Sequence, residues 1–282
     1  MNEAFFIRKR LVNKYISIRD FFPDALLLQN KKFKNLHQGE RCFILGSGPS
    51  IKEQDLTLLK GEIVMTQNHF HSHKDIDVIS PKYHVVVPKF HPKEYDEDWV
   101  QWIQGMEEKL PNSTTLFFGK NTKSMVETTT NLGDRSFYIQ TGYHAVVSRK
   151  ARVDLTQSIF NVPTVITQCI TIALYMGFKE IHLAGFDLDQ IFQRSKGGDK
   201  MRFYGHSEIT KNKAELDGLD KSFSTGRHFF NTWLTWRQLI LLGKYAESKG
   251  IKITNVAAGG ILEIFPRYDF ESVVNHNFLP NQ

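Results

Sequence analysis

The chain has 282 residues, of which 41% are hydrophobic and 23% are charged, and its formal net charge is +6. This composition is typical of a globular protein with one sizeable core, and it excludes a fibrous or low-complexity chain. The basic excess fits an anionic substrate or an anionic membrane surface. No RNP-like, zinc-finger or basic-zipper pattern is present, so we predict no nucleic-acid partner. No apolar run approaches the ~20 residues that span a bilayer and no signal-peptide pattern opens the chain, which predicts a cytoplasmic protein.

Residues 1–40 are predicted to be an appendage to a domain that comprises residues 41–282. Their first half mixes apolar and basic side chains, namely Phe5, Phe6, Arg8, Lys9, Arg10, Leu11, Lys14, Tyr15, Ile18 and Arg19. This pattern predicts a basic amphipathic helix. Such a helix either makes peripheral contact with the inner face of the cytoplasmic membrane through residues 1–22, or packs on the body of the protein or on a second subunit of a homo-oligomer.

From residue 41 onward, strand and helix signals alternate. Segments rich in β-branched and aromatic residues predict strands at RCFILG, EIVMTQN, KYHVVVP, STTLFFG, KEIHLAGFDLD and IKITNVAAGG. Helical patterns occur at IKEQDLTLL, EDWVQWIQGMEEKL, PTVITQCITIALYMGF and HFFNTWLTWRQLILLGKYAESKG. The alternation predicts an α/β fold, with a Rossmann-like, mostly parallel sheet and helices on both of its faces.

Residues 190–227 interrupt this alternation with a long polar segment punctuated by glycine. Loops of this length without secondary structure are uncommon and are often active-site lids. The segment directly follows the carboxyl end of a predicted strand, which is the edge where open α/β sheets bind their ligands. We therefore predict a lid insertion over a binding site.

The turn GSGPS at residues 46–50 has the composition of a phosphate-binding loop. Gly46 and Gly48 allow close approach of the backbone to a ligand, and Ser50 followed by Glu53 fits a capping box at a helix start. A strand, a glycine turn and a helix N-terminus together predict an anion site. The turn lacks the lysine of a Walker loop, and Ile51 stands where a dinucleotide fingerprint has its third glycine. A plain helix-start turn without a ligand is the alternative.

Four segments in this order resemble a known group of proteins: FILGSGPSIKEQDL, TQNHF, PTVITQCITIALYMGFKEIHLAGFDLDQ and YGHS. They are similar to the bacterial sialyltransferases of glycosyltransferase family 42. They are also similar to the broader DUF115 group, which includes the motility accessory factors and the MptE-like 6-hydroxymethylpterin pyrophosphokinases. The closing segment NVAAGGILEIFPR looks more like that broader group, in which an asparagine and paired glycines close the site.

The sialyltransferase resemblance implies a nucleotide-sugar-binding domain that needs no metal and no cofactor. It implies a donor that is a CMP-linked sialic acid or similar nonulosonate, and a bacterial surface glycan as acceptor, such as lipopolysaccharide or capsule. The residues implied to bind the nucleotide are Gly46, Ser47, Gly48, Ser50, Asn68, Thr164, Val165 and Asp189. His206 matches the general base, which would take the proton of the acceptor hydroxyl, and Asp187 is the second catalytic candidate.

Several positions depart from the sialyltransferase pattern. Leu188 and Asp189 stand where tyrosines would hold the leaving phosphate, Val87–Pro88 replaces an Asn-Pro pair, and Val162 replaces an arginine. These changes predict a relative with a different donor. Cationic and phenolic groups in or beside the lid would then meet the departing phosphate, the candidates being Lys196, Lys200, Arg202, Tyr204 and Arg227.

Two other functions remain open on these residues. One is a pyrophosphokinase of the 6-hydroxymethylpterin type, with ATP and Mg²⁺ held through Asp187 and Asp189. The other is a non-catalytic nucleotide-binding module that keeps the fold without its chemistry.

Overall fold

Seven parallel strands form the central sheet of the computed structural model, which describes residues 3–22, 24–86, 88–89, 93–161, 163–189 and 225–276. The strands in these ranges are β1 (Arg41–Leu45), β2 (Val64–Gln67), β3 (Tyr83–Val85), β4 (Thr115–Gly119), β5 (Ser136–Ile139), β6 (Thr141–Tyr143), β7 (Ile159–Phe160), β8 (Glu180–Ala184) and β9 (Lys252–Asn255). The order across the sheet is β5-β4-β3-β2-β1-β8-β9, and β6 pairs with β7 in a separate two-stranded sheet.

The order of the strands contains a reversal beside β1. Phe43 of β1 is paired with Val64 of β2 on one side and with His182 of β8 on the other. The chain adds β2 to β5 on one side of β1 and then crosses over to place β8 and β9 on the other. In open α/β sheets this switch point marks the crevice where ligands bind, outside the carboxyl ends of the strands.

Helices cover both faces of this sheet, as the sequence predicts. The α-helices in the described ranges are α1 (Glu3–Arg19), α2 (Ala25–Leu28), α3 (Ile76–Ile79), α4 (Asp96–Lys109), α5 (Lys123–Thr129), α6 (Ile166–Met176), α7 (Thr225–Ser248) and α8 (Phe270–Val274). Because side chains alternate along a strand, Ile44 shares a core with Ile170 of α6 and Leu239 of α7. Phe43 points to the other face and shares a second core with Ile103 of α4. The predicted Rossmann-like α/β fold is confirmed.

Helix α6 is buried on every side. All eleven of its residues are buried, since it lies in the core that the sheet shares with α7. A helix that is apolar around its whole circumference is typical of such a position. The αL conformation of Gly177 (φ 84°) ends the helix, and its backbone N–H bonds to the carbonyl oxygens of Ala173 and Leu174.

The segment after β1 differs from its prediction. IKEQDLTLL forms no α-helix: two short 3₁₀ helices, Pro49–Glu53 and Leu56–Leu59, take its place. The predicted capping box is wrong, because no side chain caps the first of these helices and Ser50 bonds elsewhere. Asp55 interrupts the pattern, since its carboxylate accepts a hydrogen bond from the Thr57 N–H and starts the second helix.

The N-terminal helix α1 packs on the body of the protein. The side chain of Asn13 donates to the backbone oxygen of His144 (2.9 Å) and accepts from the backbone N–H of the same residue (2.7 Å). Ile16 is buried on the same side of the helix. Within the described ranges, none of the helices combines the length and the apolar character needed to cross a membrane.

Candidate functional site

The candidate site lies at the carboxyl edge of the sheet, around the switch point between β1 and β8. Three segments leave the sheet there: the glycine turn that follows β1, residues 185–189 after β8, and residues 256–261 after β9. Asn68 leaves β2 at the same edge. Helix α6 precedes β8 in a parallel sheet, so its N-terminus also points to this edge.

The glycine turn packs directly against the segment that follows β8. The backbone N–H of Gly46 donates to the Ala184 oxygen (2.8 Å), and that of Gly48 donates to the Gly185 oxygen (2.7 Å). A β-carbon on Gly48 would lie 2.6 Å from a carboxylate oxygen of Asp187, which is closer than any real contact. The glycines therefore allow the turn to pack closely against residues 185–187. The sequence had predicted that they allow close approach of a ligand.

Asp187 joins these two segments through both of its carboxylate oxygens. One accepts from the backbone N–H of Ser50 at 2.9 Å, and the other accepts from the Ser50 hydroxyl. Burial raises the pKa of the Asp187 carboxyl, while the two hydrogen bonds from Ser50 oppose that shift. The carboxylate thus takes the place that the sequence assigned to a bound anion at this turn.

A third segment closes over Asp187. The backbone N–H of Ile261 donates to the Asp187 carbonyl oxygen at 2.7 Å, and a β-carbon on Gly260 would lie 2.5 Å from that oxygen. Gly260 has a φ of +84°, which favours glycine. Arg267 holds this loop by donating to the backbone oxygens of Ala257, Gly259 and Gly260. The asparagine and the paired glycines of the closing segment, which are Asn255, Gly259 and Gly260, therefore lie at the carboxyl edge of the sheet, beside the candidate site.

Asn68 stands at the end of β2 in a left-handed conformation. Its φ is +47°, its side chain is half-buried, and its carbonyl oxygen lies 3.0 Å from Nδ1 of His71. Left-handed backbone is unusual outside glycine, although asparagine tolerates it best. The conformation fixes where the amide leaves the strand.

The start of α6 is a helix N-terminus without a side-chain cap. Its N-cap residue is Val165, which makes no side-chain hydrogen bond to the helix, and Thr164 precedes it. The first backbone N–H groups of a helix carry positive partial charge and favour anions. Thr164 and Val165, which the sequence predicted to bind the nucleotide, lie at this helix start, and their role stays a prediction.

Gln168, in the first turn of α6, was not predicted from the sequence. Its side chain is buried, and neither its amide nitrogen nor its amide oxygen has a hydrogen-bond partner among the described residues. Burial of an amide without partners is costly, so such groups are rare in folded proteins. No sequence signal identifies it, because it stands within an apolar helical run.

Other predicted residues fall at the margin of the site or outside the described ranges. Asp189 is half-buried after β8, Leu188 has a left-handed φ of +52°, and Arg227 is exposed in the first turn of α7. Their functional roles stay predictions. The lid residues lie outside the described ranges, and so do Val87 and Val162; the lid residues are Lys196, Lys200, Arg202, Tyr204 and His206.

Whether Asp187 and Asp189 together hold a divalent cation stays a prediction of the pyrophosphokinase alternative. Each carboxylate oxygen of Asp187 accepts a hydrogen bond from Ser50. The described ranges contain no group of three His, Cys, Asp or Glu side chains placed to hold a metal ion.

Comparison with known proteins agrees with this geometry at the level of fold and family. Residues 10–191 match the family model described as 6-hydroxymethylpterin diphosphokinase MptE-like. None of the curated proteins matches the chain.

Solved structures of two Campylobacter jejuni enzymes are similar in fold. The monofunctional alpha-2,3-sialyltransferase Cst-I is 16% identical with a TM-score of 0.50, and the match covers 86% of this chain and 85% of that chain. The sialyltransferase CstII in complex with the substrate analogue cytidine-5'-monophosphate is 17% identical with a TM-score of 0.47, over 81% of this chain and 84% of that chain. The predicted resemblance to the MptE-like group is confirmed by the family model, and the likeness to the sialyltransferase Cst-I is one of fold.

Proposed function

The chain belongs to the family of 6-hydroxymethylpterin diphosphokinase MptE-like proteins, and on that premise we propose that it is a metal-independent glycosyltransferase acting at the carboxyl edge of its sheet. Its donor is a nucleotide-linked acid sugar, with a CMP-linked nonulosonate as first candidate, and its acceptor is a bacterial surface glycan. The fold that it shares with a sialyltransferase supports this class of reaction.

The uncapped start of α6 is the observation that carries the proposal. The glycine turn cannot offer the Ser50 N–H to a phosphate, because Asp187 already accepts that hydrogen bond. The first-turn N–H groups of helix α6 lie at the same edge, and the N-cap residue Val165 makes no side-chain hydrogen bond to them. The phosphate of the donor binds there, and the nucleoside lies towards Ser47 and Asn68.

The reaction is a substitution at the anomeric carbon of the sugar. The acceptor hydroxyl loses its proton to a general base, its oxygen forms a bond to the anomeric carbon, and the bond from that carbon to the phosphate oxygen breaks. The nucleoside monophosphate leaves with the bonding electron pair. Negative charge grows on the phosphate in the transition state, which the positive end of α6 stabilises.

The general base in this proposal is His206, which lies outside the described residues. Neutral imidazole is available near pH 7 and suits proton abstraction from a hydroxyl. In the His206→Ala variant, we expect kcat to fall about 10²-fold or more with the affinity for CMP unchanged. An unchanged kcat would remove His206 from the mechanism.

The first experiment is a thermal-shift panel with CMP, CDP, UDP, GDP and ATP, each with Mg²⁺ and with EDTA. A ligand at 100 times its Kd adds about 2.7 kcal/mol to the free energy of unfolding, which is readily measured. We expect CMP to stabilise the protein equally in EDTA. Thr164→Asp, which places a negative charge at the start of α6, should weaken CMP binding, while the neutral Thr164→Asn control should not.

A second candidate function follows from the description of the matching family, namely the transfer of diphosphate from ATP to a pterin alcohol. Stabilisation by ATP with Mg²⁺, lost in EDTA and absent with CMP, would select it. Stabilisation by a nucleotide without turnover of any donor would instead indicate a binding module.

A further inference from the structure

Helix α1 exposes a second apolar face, directed away from the body of the protein. The fractions of the side chains exposed are 62% for Leu11, 66% for Tyr15 and 57% for Ile18, and Ile7 is exposed at 46%. At about 100° per residue these four positions fall within an arc of about 80°. Phe21 and Phe22, just beyond the helix, are exposed as well. We call these six residues the α1 stripe.

The opposite face of α1 is held to the body of the protein by hydrogen bonds, so the stripe has a fixed orientation relative to the rest of the protein. Asn13 exchanges two hydrogen bonds with the backbone of His144. At the end of the helix, the Asp20 carboxylate accepts from Arg152 (2.7 Å) and from the hydroxyl (2.8 Å) and backbone N–H of Ser158 (3.1 Å). The stripe is therefore part of the rigid surface of the protein.

Cations border the stripe on both sides. Arg10 and Lys14 lie on one edge of the arc and Arg8 on the other, and all three are exposed. Between Glu3 and Arg19 the helix contains five basic residues and a single acidic one, Glu3 itself. Apolar side chains between rows of cations are typical of helices that lie in the interface of an anionic bilayer.

The stripe begins near the edge of the candidate site. The rings of Phe5 in α1 and Phe230 in the second turn of α7 make an edge contact, with centroids 6.3 Å apart. Helix α7 precedes β9, so its N-terminus lies at the carboxyl edge of the sheet. The N-terminal end of α1 therefore lies near the N-terminal end of α7, on the side of the carboxyl edge of the sheet.

We propose that the α1 stripe docks the protein on an anionic lipid surface, with the apolar side chains in the headgroup layer and the flanking cations against lipid phosphates. A second copy of the chain is a poorer occupant. In a two-fold contact each stripe would meet the same patch of its partner, and the cation rows would face each other with one carboxylate per helix to offset them.

The test is co-sedimentation of the full chain with vesicles of phosphatidylcholine alone and of phosphatidylcholine with one-third phosphatidylglycerol. We expect binding to the anionic vesicles that weakens in high salt. Leu11→Ser combined with Ile18→Ser should reduce this binding about tenfold or more, and Arg10→Gln combined with Lys14→Gln should reduce it as well. The matched control is Leu58→Ser with Val78→Ser, which removes two exposed apolar side chains away from α1 and should leave binding unchanged.

Sedimentation velocity in the absence of lipid completes the test. We expect Leu11→Ser with Ile18→Ser to leave the oligomeric state unchanged. The midpoint of thermal unfolding, measured separately, should also be unchanged. A wild-type protein that binds neither vesicle, or an α1 variant that binds as well as wild type, would overturn the proposal. A wild-type dimer that the α1 variant converts to monomer would overturn it in favour of self-association.

Discussion

The backbone N–H and the hydroxyl of Ser50 both donate to the carboxylate of Asp187, across 137 residues of sequence. Ser50 belongs to the turn after β1, and Asp187 follows β8, so this pair of hydrogen bonds closes the switch point of the sheet. The protein supplies its own anion at a turn that otherwise resembles a phosphate loop. The Asp187 carboxylate therefore accepts the Ser50 N–H that a phosphate loop would offer to its ligand.

Removal of the Asp187 carboxylate should destabilise the fold. In Asp187→Ala the buried N–H of Ser50 loses its acceptor, and we expect the free energy of unfolding to fall by about 1–3 kcal/mol. Asp187→Asn keeps an oxygen acceptor for that N–H and should cost less. Urea denaturation measures both effects, with the exposed Asp77→Asn as the control. An Asp187→Ala variant as stable as wild type would show that the contact with Ser50 adds nothing to stability.

The crowding around Gly260 can be measured separately from its backbone conformation. Gly260 and Gly39 have nearly the same φ, +84° and +88°, but a β-carbon on Gly260 would meet the backbone of Asp187 whereas one on Gly39 would meet nothing within 4 Å. We expect Gly39→Ala to cost about 1–2 kcal/mol, which is the cost of the left-handed conformation. Gly260→Ala should cost clearly more, because the loop after β9 must also move. Equal costs in urea denaturation would mean that this loop is free to shift.

The sequence predicted the sheet because its strands are short, buried and bounded by turn residues, and such signals are local. It placed Asp187 at the ligand edge for the same reason, since the residue follows a strand directly. It could not predict the partner of Asp187, because the spacing of Ser50 and Glu53 indicated a local capping box. In the structure Ser50 bonds instead to Asp187, which is distant in sequence. The strands β5 to β7 were missed, since their two to four residues are too few to show a period.

Buried histidines should make the protein unstable in mild acid. Burial lowers the pKa of His71 to about 4 and also lowers that of His84, from an ordinary value of 6.5. Between pH 6.5 and about 4 the unfolded chain binds protons that the folded protein does not bind, so stability is full above pH 6.5 and falls as the pH decreases. For His71 alone the loss reaches about 3 kcal/mol at pH 4.

The measurement is the free energy of unfolding between pH 7.5 and pH 4 for wild type and His71→Gln. The glutamine amide can still donate to the Asn68 oxygen that His71 Nδ1 contacts, at 3.0 Å in the native protein. The variant should lose less stability than wild type across this range. Identical slopes for the two proteins would assign the acid sensitivity to other groups.

The amide of Gln168, which has no hydrogen-bond partner among the described residues, gives a test that joins stability to ligand binding at the start of α6. A buried amide without partners costs the folded protein about 1–3 kcal/mol, so Gln168→Leu, which nearly keeps the volume, should raise the free energy of unfolding. If the amide serves the nucleotide, the same substitution should weaken CMP binding. Gain of stability together with loss of affinity is the pattern of a residue kept for binding.

Gln238 provides the matched control for this experiment. It is also buried, and its amide oxygen has no partner in the part of the chain that the structure describes, but its amide nitrogen donates to the Asn161 oxygen at 2.6 Å. Gln238→Leu removes the amide that donates to the backbone oxygen of Asn161. We therefore expect this variant to be less stable and to bind CMP with unchanged affinity. A Gln168→Leu protein that is more stable and binds CMP as tightly as wild type would remove Gln168 from the site. The phosphate site would then rest on the backbone N–H groups of α6 alone, which the Thr164→Asp variant tests directly.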